Sequence, residues 1–147
     1  VGGRRTAELA GEIGDGMIGL EPDASLVAAF RGSGGGDQPV VGQLHVCWAD
    51  TSDEARRRAH RWWPNAAWPT DLTTELSRPS QFQALSTLVT EDQVAAGVVC
   101  GTDPEPYARA VLRFAAAGYD RVYVHQIGPH QAGFLRFWRD RVRPLLS

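Results

Sequence analysis

The residues best placed to do chemistry stand at the two ends of the chain. Gly2-Gly3-Arg4-Arg5 lies just ahead of a helical pattern, so its backbone N–H groups and the helix dipole could hold a phosphate, with arginine adding charge. The same residues also suit a plain strand-to-helix turn, and spacing alone leaves both readings open. His125 closes a β-branched run, followed by Gln126 and the turn Gly128-Pro129, where it could exchange a proton or serve as a hydrogen-bonded structural histidine. His45 and Cys47 form an H-x-C pair on one strand face, while His60 and His130 stand elsewhere, and no spacing matches a zinc site. No Ser-His-Asp set or carboxylate pair can be read from spacing. Asp15, Asp50 and Asp120 sit at turns, where capping explains them.

Composition removes several chemistries. All 15 basic residues are arginine, which excludes a Schiff-base lysine, a pyridoxal-phosphate site and a P-loop lysine. The glycine run Gly32 to Gly36 lacks a following GK[ST] and reads as a solvent-exposed connector. A net charge of −2 with acids scattered among the arginines offers no basic stripe for nucleic acid. No apolar run reaches the length of a membrane span, and two separated cysteines suit a reduced, cytoplasmic protein. The chain opens on Val1-Gly2-Gly3 and holds its single methionine at Met17, so it reads as cut rather than begun.

Strands and helices must position these residues. A helix is expected over Thr6–Ile13 with a stop at Gly14, a strand over Met17–Leu20, and a helix over Ala24–Phe30. Val40–Ala49 is the clearest strand. Thr51 and Glu54 then start a helix whose buried face holds Ala55, Ala59, Trp62 and Trp63, with Arg56, Arg57, Arg58 and Arg61 mostly opposite. Residues 64–92 read as a long irregular insertion with a short helix at Ser80–Leu88, and Val94–Cys100 as a strand. A helix capped at Thr102 buries Tyr107, Ala110, Val111 and Phe114 and stops at Gly118. A strand over Asp120–Gly128 precedes a last helix burying Phe134, Leu135, Trp138, Val142 and Leu145. Strand followed by helix, repeated, is an α/β layout with parallel strands. A (β/α)8 barrel takes about 250 residues, so this chain of 147 holds three full units and the tail of a fourth.

The strings AELAGEIGDGMI, VVGQLHVCWADTSDEARRRAHRWWPN and VVCGTDPEPYARAVLRFAAAGYDRVYVHQIGPHQAGFLRFW resemble the C-terminal half of luciferase-like flavin and deazaflavin oxidoreductases. The group most resembled is the one related to coenzyme F420-dependent glucose-6-phosphate dehydrogenase. This implies a luciferase-like TIM barrel, with residues 1–147 as the C-terminal part of a single barrel domain and 64–92 as an insertion covering the pocket. It also implies that Gly2, Gly3 and Arg4 touch the phosphate-bearing tail of F420, with FMN as the alternative. Leu20, Thr73, His125 and Gln126 become substrate-pocket residues, on a strand order that makes the His125 strand the eighth.

Two departures limit what the resemblance carries. The sugar-phosphate dehydrogenases grip their substrate with a threonine, two lysines and an arginine, at positions matching Leu20, Asp23, Thr73 and Gly97; all four differ. A phosphate dianion facing Asp23 without a cation would be repelled, so glucose 6-phosphate is not the expected substrate. The family's catalytic histidine, tryptophan and glutamate belong to the N-terminal half, so no catalytic residue is assigned in this segment. The expected protein is an F420-dependent oxidoreductase of a small organic substrate, a cytoplasmic homodimer at full length, with the segment inactive and self-associating alone. The alternatives are an FMN-dependent monooxygenase and a non-catalytic half-barrel subunit.

Overall fold

The computed structural model describes residues 1–147, apart from the side chains of Thr70, Asp71 and Thr74. Helices separate the strands along the chain, and two strand pairs are registered in parallel. It divides into two compact units. The first comprises Val1–Leu44, Glu105–His125 and Leu145–Ser147, the second His45–Pro104 and Gln126–Pro144.

In the first unit, α1 (Arg4–Ile13), β1 (Met17–Gly19), α2 (Ala24–Phe30) and the start of β2 (Val40–Cys47) follow in order, with most of α7 (Pro104–Ala116) and β4 (Arg121–Gln126). Met17, Ile18 and Gly19 register with Val40, Val41 and Gly42. β4 pairs with β2 as well, through the Asp120 N–H donating to the Val40 carbonyl at 2.9 Å. The carbonyls of Pro39 and Val40 thus serve β1 and β4 respectively. Successive carbonyls of a strand point to opposite edges, so β2 runs between the two. Ala7, Met17, Val27, Phe30, Val40, Phe114 and Tyr119 form the core, with helices over one sheet face.

Missing side chains set how closely these layers approach. A Cβ on Gly42 would lie 2.4 Å from the Phe114 ring, one on Gly19 2.4 Å from the Tyr119 hydroxyl, and one on Gly11 2.3 Å from the Phe30 carbonyl oxygen. The Asp120 carboxylate accepts the Val40 N–H at 2.8 Å and pairs with Arg31 at 3.2 Å, fixing the entry to β2. The glycine run is exposed at Gly32, Gly34 and Gly36, as expected of a connector, but it is anchored. Arg31–Gly35 continues α2 as a π-type turn, and Gly35 is buried beneath the Phe30 ring.

In the second unit, α3 (Ser52–Trp62) starts on Thr51, whose hydroxyl accepts the Glu54 N–H at 3.2 Å. Its core is Cys47, Ala59, Val94, Val98 and Ile127. The insertion is largely helical: a 3-10 turn at Pro64–Ala67 is followed by α4 (Thr70–Glu75), α5 (Pro79–Ser86) and α6 (Glu91–Gly97). The strand expected over Val94–Cys100 shrinks to β3 (Val99–Cys100), because Thr90 caps a helix there by accepting the Gln93 N–H. β3 registers Val99 and Cys100 with Val46 and Cys47. α8 (Gln131–Phe137) continues into further helical turns. The buried residues of the last segment are Phe134, Phe137 and Val142, whereas Leu135 and Leu145 are exposed, as is Trp62 of α3. Leu135 lies one residue past the buried Phe134, whereas Trp62 and Leu145 keep the helical spacing but stand at the ends of their helical segments.

Candidate cofactor and substrate site

The helix α1 begins without a side-chain cap. Gly3 takes the N-cap place in extended backbone (φ −172°) and has no side chain to accept the first-turn N–H groups. Thr6 braces Gly3 instead: its hydroxyl donates to the Gly3 carbonyl at 2.7 Å and accepts the Gly3 N–H at 3.2 Å. A Cβ on Gly2 or Gly3 would meet nothing within 4 Å. The glycines therefore leave open space in front of a ten-residue helix whose N-terminal dipole favours an anion. Arg4 is 80 % exposed and pairs with Glu8 at 2.8 Å across one turn, so part of its charge is already answered. Farther along α1, Arg4 and Glu8 edge an open cleft of about 380 Å³ shared with Ser25, Ala28, Ala29, Gly32 and Ser33. The Glu8 carboxylate makes that cleft a poor phosphate seat.

Also in the first unit, Leu20 follows the end of β1 and is 54 % exposed, and His125 sits partly buried near the end of β4. Strand alternation assigns them a face. Met17 and Val122 pack into the helix-covered core, so Ile18 (52 % exposed) and Tyr123 (61 % exposed) point the other way, with His125 on the same side as Tyr123. In a closed barrel this face looks inward. Asp23 caps α2, accepting from the Ser25 N–H at 2.8 Å and the Ser25 hydroxyl at 2.7 Å. The Ser25 hydroxyl, then its backbone N–H, hold the carboxyl below its usual range, so Asp23 presents a negative charge.

The second unit carries Thr73, partly buried in α4, and Gln126. Gln126 is 5 % exposed and its amide is committed to backbone. Its Oε1 accepts the Trp48 N–H at 2.9 Å, and its Nε2 donates to the carbonyls of Trp48 and Ile127, both at 3.0 Å. The side chain thus replaces a strand rung where β2 has ended. Trp48, held this way, stacks on Phe137 at 5.8 Å and covers Gly133, whose Cβ would lie 2.4 Å from the indole. Gln126 acts through Trp48, a partnership 78 residues apart that local sequence could not signal. Gly97 closes α6 with space for little more than hydrogen, since a Cβ would approach the Ala66 carbonyl oxygen to 3.0 Å.

His45 leans on Trp63 at 5.1 Å. Among the described residues no group of three or more His, Cys, Asp or Glu could hold a metal ion, and no helix is long and apolar enough to cross a membrane.

Parallel strands with helices between them define an α/β protein. The luciferase-like monooxygenase family model matches residues 1–121, and the chain belongs to that family. An F420-dependent glucose-6-phosphate dehydrogenase of Microbacterium testaceum (strain StLB037) is 23 % identical, over 98 % of this chain and 46 % of its own length. Among solved structures, an F420-dependent secondary alcohol dehydrogenase in complex with an F420-acetone adduct superposes with a TM-score of 0.75 and 21 % identity, covering 99 % of this chain and 47 % of that one. The coenzyme F420-dependent tetrahydromethanopterin reductase of Methanopyrus kandleri gives 0.66 and 17 %, covering 100 % and 50 %. The chain therefore spans about half the length of these relatives.

Proposed function

We propose that this chain forms part of an F420-dependent oxidoreductase acting on a small organic substrate. The observation that carries the reading is agreement: relatives found by sequence and by structure are F420-dependent in each case named above. The uncapped start of α1, with open space at Gly2 and Gly3, fits the phosphate-bearing end of such a cofactor. When bound, the deazaflavin exchanges a hydride with the substrate, and the protein supplies orientation and electrostatics. The α1 N–H groups and Arg4 hold the tail. In the first unit Leu20 and His125 are assigned to the substrate, in the second Thr73 is, and there Gln126 acts by fixing Trp48.

Glucose 6-phosphate is an unsuitable substrate in this reading. Asp23 adds an anion where a dianion would need a cation, and Gly97 offers no grip. The reading also carries a cytoplasmic homodimer without nucleic-acid or membrane partners. Its test is titration of the protein at its full encoded length with F420 and with FMN, followed by turnover assays with secondary alcohols and glucose 6-phosphate. F420 binding with no turnover of the sugar phosphate is expected. Tight FMN binding without F420 binding would replace the reading with an FMN-dependent monooxygenase. Binding of neither would leave a non-catalytic barrel segment.

A further inference from the structure

Cys47 ends β2 and Cys100 ends β3, and the parallel register sets them directly opposite each other. Neighbouring strands run about 4.7–4.9 Å apart and registered side chains leave the sheet on the same face. That spacing meets the Cα requirement of a disulfide, about 4.4–6.8 Å. Both side chains are thiols. Cys47 is fully buried, its Sγ donating to the Ile127 carbonyl at 3.4 Å, while Cys100 is partly exposed and packs on the same apolar cluster. The hydride-transfer reading uses neither.

We propose that Cys47 and Cys100 are an oxidation site that closes into a reversible intrachain disulfide under peroxide. The Cys100 thiolate attacks one peroxide oxygen, the O–O bond breaks, and hydroxide leaves, so that Cys100 becomes a sulfenic acid. The Cys47 sulfur then attacks the Cys100 sulfur, the S–O bond breaks and water departs with the Cys47 proton. Two thiols are oxidised by two electrons and one peroxide is reduced to water. The order follows from access, since only Cys100 meets solvent. The bond encloses residues 48–99, tying α3 and the whole helical insertion to the end of β2. The response is slow. Burial pushes the thiols up to about 11 for Cys47 and about 12 for Cys100, and neither Arg58, which opposes the shift at Cys47, nor Arg56, which opposes it at Cys100, cancels the effect.

The test exposes the protein at its full encoded length to excess hydrogen peroxide, alkylates remaining thiols in denaturant, and maps the peptides by mass spectrometry. A peptide pair joined through Cys47 and Cys100, lighter by two hydrogens and separated by dithiothreitol, is expected. In C47S, dimedone should trap Cys100 as sulfenic acid, and in C100S the buried Cys47 should survive as a thiol. Two intact thiols after prolonged exposure, a sulfinic acid at Cys100 beside unreacted Cys47, or a link between two molecules would each overturn the proposal.

Discussion

The two units build their packing beside β2 from different contacts, although the second also leaves side chains out at Gly97 and Gly133. The first brings its layers together by leaving side chains out: Gly11, Gly19 and Gly42 each let an oxygen or a ring occupy the place of a Cβ. The second fills the end of β2 with added side chains, the Gln126 amide standing in for a rung and two registered thiols closing the adjacent strand pair. The first kind of contact rejects any enlargement. The second tolerates changes of shape but fails when a buried polar partner disappears.

Gly42→Val tests the first solution and carries the largest effect. The new Cβ meets the edge of Phe114 in a core that also holds Val40 and Tyr119, so overpacking should cost about 3 kcal/mol against a small gain in strand propensity. Urea unfolding of the two proteins measures it, and unchanged stability would show that the strand–helix spacing is adjustable. Gln126→Leu tests the second. It keeps the bulk but strips the Trp48 N–H and carbonyl of their partners, for a loss of about 2 kcal/mol and a shift in Trp48 fluorescence. If stability falls without a fluorescence change, Gln126 packs but does not position Trp48.

How far these features were legible depends on the range of the forces behind them. α1, α2, α3 and α7, with β1, β2 and β4, follow from local periodicity and end signals, such as Thr51 before Glu54 and the glycine at 118, which takes a positive φ of 89°. Over 94–100 the apolar run points to a strand, whereas Thr90 and Gln93, three residues apart, mark the helix start that the structure shows. Glycines inside β1 and β2 likewise mark close approach, yet which ring they admit is a tertiary fact. Of the site, the Gly2-Gly3-Arg4 start was visible. The resemblance places Gln126 in the substrate pocket, whereas its burial and its bonds to Trp48 and Ile127 commit the amide to backbone.

Helix starts give smaller effects. Thr51→Ala removes the hydroxyl that accepts the Glu54 N–H and should cost about 1 kcal/mol in thermal or urea unfolding. Asp23→Ala should show a pH signature. The Ser25 hydroxyl and then its N–H hold the folded carboxyl below its ordinary value, so its stabilisation is present above that ordinary value and fades as pH falls through the lowered one. Wild type and variant should differ at neutral pH and converge in acid. A gap that persists in acid would mean the neutral side chain caps equally well.

The smallest change in stability comes from giving α1 the cap it lacks. Gly3→Asp places a carboxylate in space that the structure leaves open, where it can accept a first-turn N–H and complement the dipole. Stability should rise by a few tenths of a kcal/mol, since glycine is itself a fair N-cap residue. Cofactor binding should move the other way, because the new charge occupies the donors assigned to the phosphate and repels it. A loss of about tenfold in F420 affinity, or roughly 1.4 kcal/mol, is expected from one displaced charge-assisted contact. Gly3→Ala separates the two causes: it fills space without adding charge or an acceptor, so binding should hardly change. If Gly3→Asp binds F420 as tightly as wild type while the helix is stabilised, the open start of α1 is only a turn, and the phosphate end of the cofactor must lie elsewhere.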